Sequence, residues 1–141
     1  MISTVAVGTD GSGTADVAVK HATEIARRFG AKLVLLSAFS RSDRSRASRE
    51  KDIELQWASG SSARLRTILE RSMAEVRRAG IECETRSDEG NPAEVLVRLA
   101  AECDADILVI GNKGMKRRML GSVPNTVTHT AECSVLVVKT T

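Results

Sequence analysis

Ile107-Leu108-Val109-Ile110 runs directly into Gly111-Asn112-Lys113-Gly114, and Met115-Lys116-Arg117-Arg118-Met119-Leu120 leads on to Gly121-Ser122-Val123-Pro124. A buried-strand pattern thus feeds a stretch holding three glycines, several cations and a hydroxyl. That composition suits a phosphate. Glycines allow close backbone approach and positive φ, and successive N–H groups can form an anion-binding concavity. A short helix opening at Gly121-Ser122 would aim further N–H groups at the same anion. Taken alone, a glycine-rich loop is a weak signal, and the same residues would serve an ordinary strand-to-helix turn with cations for solubility.

A second candidate lies near the N-terminus. Gly8-Thr9-Asp10-Gly11-Ser12-Gly13 ends an apolar run, Ile2 to Val7. Asp10 there sits at a strand C-terminus, where the plain reading is a turn or helix-capping aspartate. His21 and His129 fall on helices and read as surface histidines. No Ser/His/Asp or Cys/His set is apparent. Cys83, Cys103 and Cys133 form no CxxC pair. Their odd number suits reduced thiols in a cytoplasmic chain, where they act as small buried apolar residues.

Composition narrows the function classes. The chain has 141 residues, 42% hydrophobic and 28% charged, as expected for one globular domain spanning 1–141. No apolar stretch nears the ~20 residues of a membrane span. Met1-Ile2-Ser3-Thr4-Val5 lacks the basic and apolar regions of a signal peptide. The net charge is +3, concentrated in Arg41–Arg49 and Lys113–Arg118. Only Phe29, Phe39 and Trp57 are aromatic. Without a stacking platform, a small anion explains the second cluster better than nucleic acid does.

The elements that must position these groups alternate. Strands are expected at 2–7, 33–39, 81–86, 107–110 and 135–138. Helical spacing places Ala18, Ala22, Ile25, Ala26 and Phe29 on one buried face, with Gly30 as the C-terminal stop. A later helix carries Leu65, Leu69, Ser72, Met73 and Val76 inward to Gly80. Another follows Asn91-Pro92, with Val95, Leu96, Leu99, Ala100 and Cys103 buried. A short helix covers 121 to about 131. The Ser/Arg-rich segment from 40 to about 60 reads as a loop with some helix around 53–57. Five strands and four helices in βα alternation make an open parallel α/β sheet, Rossmann-like and covered on both faces. Ligands bind such sheets beyond the strand C-termini, where Asp10, Ala38 and Gly111 converge.

Together these motifs resemble the universal stress protein family over almost the whole chain. Val7-Gly8-Thr9-Asp10-Gly11-Ser12 is similar to its V-x-x-D-x-S signature. Gly111, Gly114, Gly121 and Ser122 follow its G-x2-G-x9-G-[ST] nucleotide motif, and Asn91-Pro92-Ala93 and the strand from Cys133 to Val138 also match. One departure is a spacer of six residues, not nine, between Gly114 and Gly121. Three residues are a little less than one helical turn, ~3.6 residues, so the glycines could keep their places under a shorter, more cationic lid.

The resemblance implies strand order 3-2-1-4-5 and an adenine-nucleotide site. Many members bind ATP, some do not, and some prefer cyclic AMP. The implied site comprises Thr9, Asp10, Ser12, Ala38, Gly111, Asn112, Lys113, Gly114, Gly121, Ser122 and Val123. Ala38 would offer backbone groups to adenine, the glycines would cradle phosphates, and Asp10 would sit near ribose and triphosphate, through Mg2+ if ATP is the ligand. The family also implies a homodimer through the final strand, 135–138. The expectation is a regulatory stress-response protein that binds an adenine nucleotide, ATP ahead of AMP or cyclic AMP, without being an enzyme. A cyclic-AMP-binding member of the family, a slow ATPase and a nucleotide-free interaction module are the alternatives.

Overall fold

The computed structural model describes residues 1–39, 52–112 and 121–140. Strands β1 (Thr4–Gly8), β2 (Lys32–Phe39), β3 (Cys83–Glu89), β4 (Ile107–Gly111) and β5 (Ser134–Val138) alternate with helices α1 (Gly13–Phe29), α2 (Asp52–Arg78), α3 (Pro92–Glu102) and α4 (Ser122–Thr130). The strands form one sheet in the order β3-β2-β1-β4-β5. Every neighbouring pair is parallel. This is the expected α/β topology.

Both sheet faces are covered, and the side-chain alternation of the strands divides the core in two. Val5, Val7, Leu33, Leu35 and Val109 pack with Ala18, Ala22 and Ala26 of α1 and with Leu69 and Val76 of α2. Ala6, Val34, Leu36, Leu108 and Ile110 point the other way, onto Val95, Leu96, Leu99 and Ala100 of α3 and Val127 of α4. Small residues on α1 let that helix approach the sheet closely, directly over the ends of β1 and β4.

Local signals set most boundaries. Ser12 caps α1, its hydroxyl accepting the Ala15 N–H at 3.2 Å. Gly30 ends α1 at φ 64°, a left-handed conformation that favours glycine. Asn91 caps α3, accepting from the Glu94 N–H at 3.2 Å, with Pro92 in the first turn.

Three expectations need correction. Phe29 is 57% exposed, because α1 passes the edge of its core before its last residue. The strand expected over 81–86 occupies Cys83–Glu89, pairing along its whole length with Leu33–Phe39 of β2. Parallel registration with a long neighbour decides its extent. Helix α2 begins at Asp52, well inside the segment read as a loop to about residue 60. Once a helix is nucleated, each further residue adds a hydrogen bond, so Gly60 and its neighbouring serines are carried within it at modest cost. The part of that segment at 40–51 lies outside the described residues.

Candidate nucleotide cleft

Strands β1 and β4 lie side by side at the centre of the sheet, yet their chains leave in opposite directions. From β1 the chain passes through α1 to β2, and from β4 through α4 to β5. Such a divergence opens a crevice at the strand C-termini. Val7 is level with Val109, so Gly8 and Gly111 end the two strands at the mouth of that crevice. A cleft of about 500 Å³ sits there.

The β1 side of the cleft is Gly8, Thr9 and Asp10. Thr9 is buried, and its N–H extends the sheet by donating to the Leu36 carbonyl at 2.9 Å. Its hydroxyl accepts the Gly11 N–H at 3.1 Å, while Asp10 Oδ1 accepts the Ser12 N–H at 2.9 Å. These two side-chain bonds build the turn between strand and helix. Gly11 stands in it at φ 82°, and a Cβ there would come within 3.0 Å of Ile68 Cγ2 on α2. Asp10 therefore shapes the turn, and it stands among the residues that line the cleft.

On the opposite side Gly111 ends β4, and Gly121, Ser122, Val123 and Pro124 begin α4. Gly121 is the N-cap of that helix and supplies no side-chain hydrogen bond. Among the described residues no N-cap side chain takes the leading N–H groups, the condition that draws anions to helix N-termini. Ala38, from the end of β2, closes a third wall.

Thus Thr9, Asp10, Ala38, Gly111, Gly121, Ser122 and Val123 meet around one cavity. Ser12 does not line it and serves as the α1 cap. Asn112 does not line it either. It is buried, and its Oδ1 accepts both the N–H and the hydroxyl of Thr140, at 2.8 and 2.7 Å. Lys113, Gly114 and the cations through Arg118 lie outside the described residues.

Several wall residues carry no sign of that role in the sequence. Pro92 and Leu96 reach the cleft from α3, Thr14 and Ala15 from α1, and Thr140 from beyond β5. Pro92 and Leu96 were legible as helix start and buried stripe, but not as cleft lining. Nothing about Thr140 marked it, because its position depends on a side-chain bond across 28 residues.

Titratable groups elsewhere serve the fold. Asp106 accepts the Ser3 and Thr4 N–H groups at 2.8 and 3.0 Å, joining β1 to β4 at the end of the sheet remote from the cleft. Those N–H donors hold its carboxyl below the usual carboxylate range. Burial pushes the Cys83 thiol up to about 11 and raises Cys103 and Cys133 as well, so all three favour the neutral thiol. His21 and His129 are exposed, each bonded through Nδ1 at 2.8 Å to the carbonyl four residues earlier in its helix. No group of three potential metal ligands occurs among the described residues, and no described helix is long and apolar enough to cross a membrane.

The universal stress protein family model matches residues 1–139. A universal stress protein of Mycobacterium tuberculosis is 40% identical over 98% of this chain and 97% of its own length. Among solved structures, a universal stress protein in complex with cAMP superposes with a TM-score of 0.77 at 34% identity, covering 99% of this chain and 98% of that one. A universal stress protein from Archaeoglobus fulgidus in complex with dAMP gives 0.69 at 25% identity, over 99% and 100%.

Proposed function

The chain belongs to the universal stress protein family, and from that premise we propose that it binds an adenine nucleotide in the cleft and acts as a regulatory stress-response protein through binding, not turnover. The observation that carries this reading is the convergence of Asp10, Ala38, Gly111 and the uncapped start of α4 on one cavity at the switch point. Two relatives of the same fold hold cAMP and dAMP, which supports an adenine nucleotide as the ligand.

ATP is the nucleotide we favour. The N–H groups opening α4 suit a phosphate, and the cationic run Lys113–Arg118 follows β4 in sequence. Asp10 suits Mg2+ carried in with ATP. Asp10 lines the cleft, and its carboxylate is the hard oxygen group that would hold Mg2+ beside the phosphates. Mg2+ would neutralise phosphate charge there. Among the described lining residues Asp10 is the sole ionisable side chain, and one carboxylate that also shapes a turn fits ligand binding better than proton transfer.

Mass spectrometry of small molecules released from the purified protein, followed by calorimetry with ATP, AMP and cyclic AMP, tests the proposal. An adenine nucleotide bound at micromolar concentration or below is the expected result. Absence of all three, both copurified and in titration, would refute it.

A further inference from the structure

Thr140 reaches the cleft from beyond β5, and its hydroxyl is in a defined state. A main-chain N–H can only donate, so the Asn112 atom 2.8 Å from the Thr140 nitrogen must be the amide oxygen. The Thr140 hydroxyl lies 2.7 Å from that same oxygen and must spend its single proton there. Only acceptor capacity remains on Thr140 Oγ1. The geometry is firmly set: Asn112 is 2% exposed, its own N–H donates to the Val138 carbonyl at 3.0 Å, and Thr140 Cγ2 lies 3.2 Å from where a Cβ on Gly111 would stand. A phosphate oxygen, itself an acceptor, gains nothing at such a corner. A hydroxyl or amino group can donate to it.

Resting on the adenine-nucleotide reading, we propose that Thr140 is a specificity-determining residue whose Oγ1 accepts a hydrogen bond from a hydroxyl or amino donor of the bound nucleotide. Asn112 is the positioning residue that keeps it an acceptor. The donor is a sugar hydroxyl or the adenine amino group, and analogues separate the two.

Calorimetry on wild type, Thr140→Val, Thr140→Ser and Asn112→Ala, each with the tightest-binding adenine nucleotide, its 2′-deoxy and 3′-deoxy forms and its inosine counterpart, tests this. Thr140→Val keeps the side-chain shape and the main-chain bond to Asn112. It should weaken the parent nucleotide about two- to tenfold, the range of a single net hydrogen bond. It should leave unchanged the one analogue that already lacks the donor. Thr140→Ser should restore wild-type selectivity, and Asn112→Ala should narrow the parent-to-analogue ratio towards that of Thr140→Val. Equal weakening of every ligand by Thr140→Val, or no weakening at all, overturns the role of Thr140. A wild-type ratio in Asn112→Ala overturns the positioning role. Wild-type protein that binds no adenine nucleotide removes this inference together with the reading beneath it, a result distinct from either.

Discussion

Gly8 lies directly under Leu96: a Cβ on Gly8 would come within 3.0 Å of Leu96 Cδ1, and both residues line the cleft. The missing side chain at the end of β1 is what allows α3 to form the cleft floor. Gly8→Ala should push the Leu96 side chain aside, and the open side is the cleft. We expect nucleotide affinity to fall at least fivefold while the melting temperature drops by only a few degrees, since overpacking costs about 1–3 kcal/mol where no relief exists. Unchanged affinity would place the nucleotide away from this floor.

Ser122 opens α4, is exposed and lines the cleft. Ser122→Asp adds a negative charge at a helix N-terminus, favourable by about 0.3–1 kcal/mol in the free protein. The same charge would repel a phosphate. Stability should hold or rise while ATP affinity falls tenfold or more and adenosine affinity barely changes. Equal losses for ATP and adenosine would move the phosphates away from α4.

Asp10→Asn should weaken Mg2+–ATP binding more than binding of metal-free ATP. The substitution removes a hard charged ligand from the metal, yet it relieves repulsion of bare phosphates. Its amide oxygen can still accept the Ser12 N–H that Asp10 Oδ1 holds at 2.9 Å. Titrations with and without magnesium decide the matter, and equal losses would leave Asp10 with its turn alone.

Strand β5 lies at one edge of the sheet, and Leu136 on it is 39% exposed. An unpaired β-prone edge invites a second chain, and a two-fold axis would let two β5 strands cover each other. We expect a homodimer at micromolar concentration by sedimentation, converted to monomer by Leu136→Lys. A monomeric wild type would reject this interface.

Asp106 should make the fold acid-sensitive. Its native pKa lies below the unfolded value, so its contribution is fully present above the unfolded value, about 4. It is lost as pH falls through the depressed native value. Asp106→Asn should be less stable than wild type at neutral pH, with the gap closing towards pH 2. Melting temperatures followed across that range check this, and a gap that stays constant would show that the charge is immaterial.

Much of this protein was legible in its residues because the signals are local or periodic. Apolar runs flanked by Gly8 and Gly111, a capping Asn91 before Pro92, and a stop at Gly30 specify elements through nearest-neighbour sterics and hydrogen bonds. With βα alternation they also specify a parallel sheet, whose crossover handedness leaves few topologies. The family motifs supplied the strand order and the glycine and aspartate positions of the cleft. Tertiary structure decided the rest. Whether Ser12 caps a helix or touches a ligand depends on where α1 begins. Leu96 reaches the cleft because Gly8 lacks a side chain, a relationship between residues far apart in the chain. Thr140 lines the cleft and Asn112 does not, and one Asn112 amide oxygen bonds both the N–H and the hydroxyl of Thr140. No composition or spacing encodes that pairing, which exists only once β4 and β5 lie side by side.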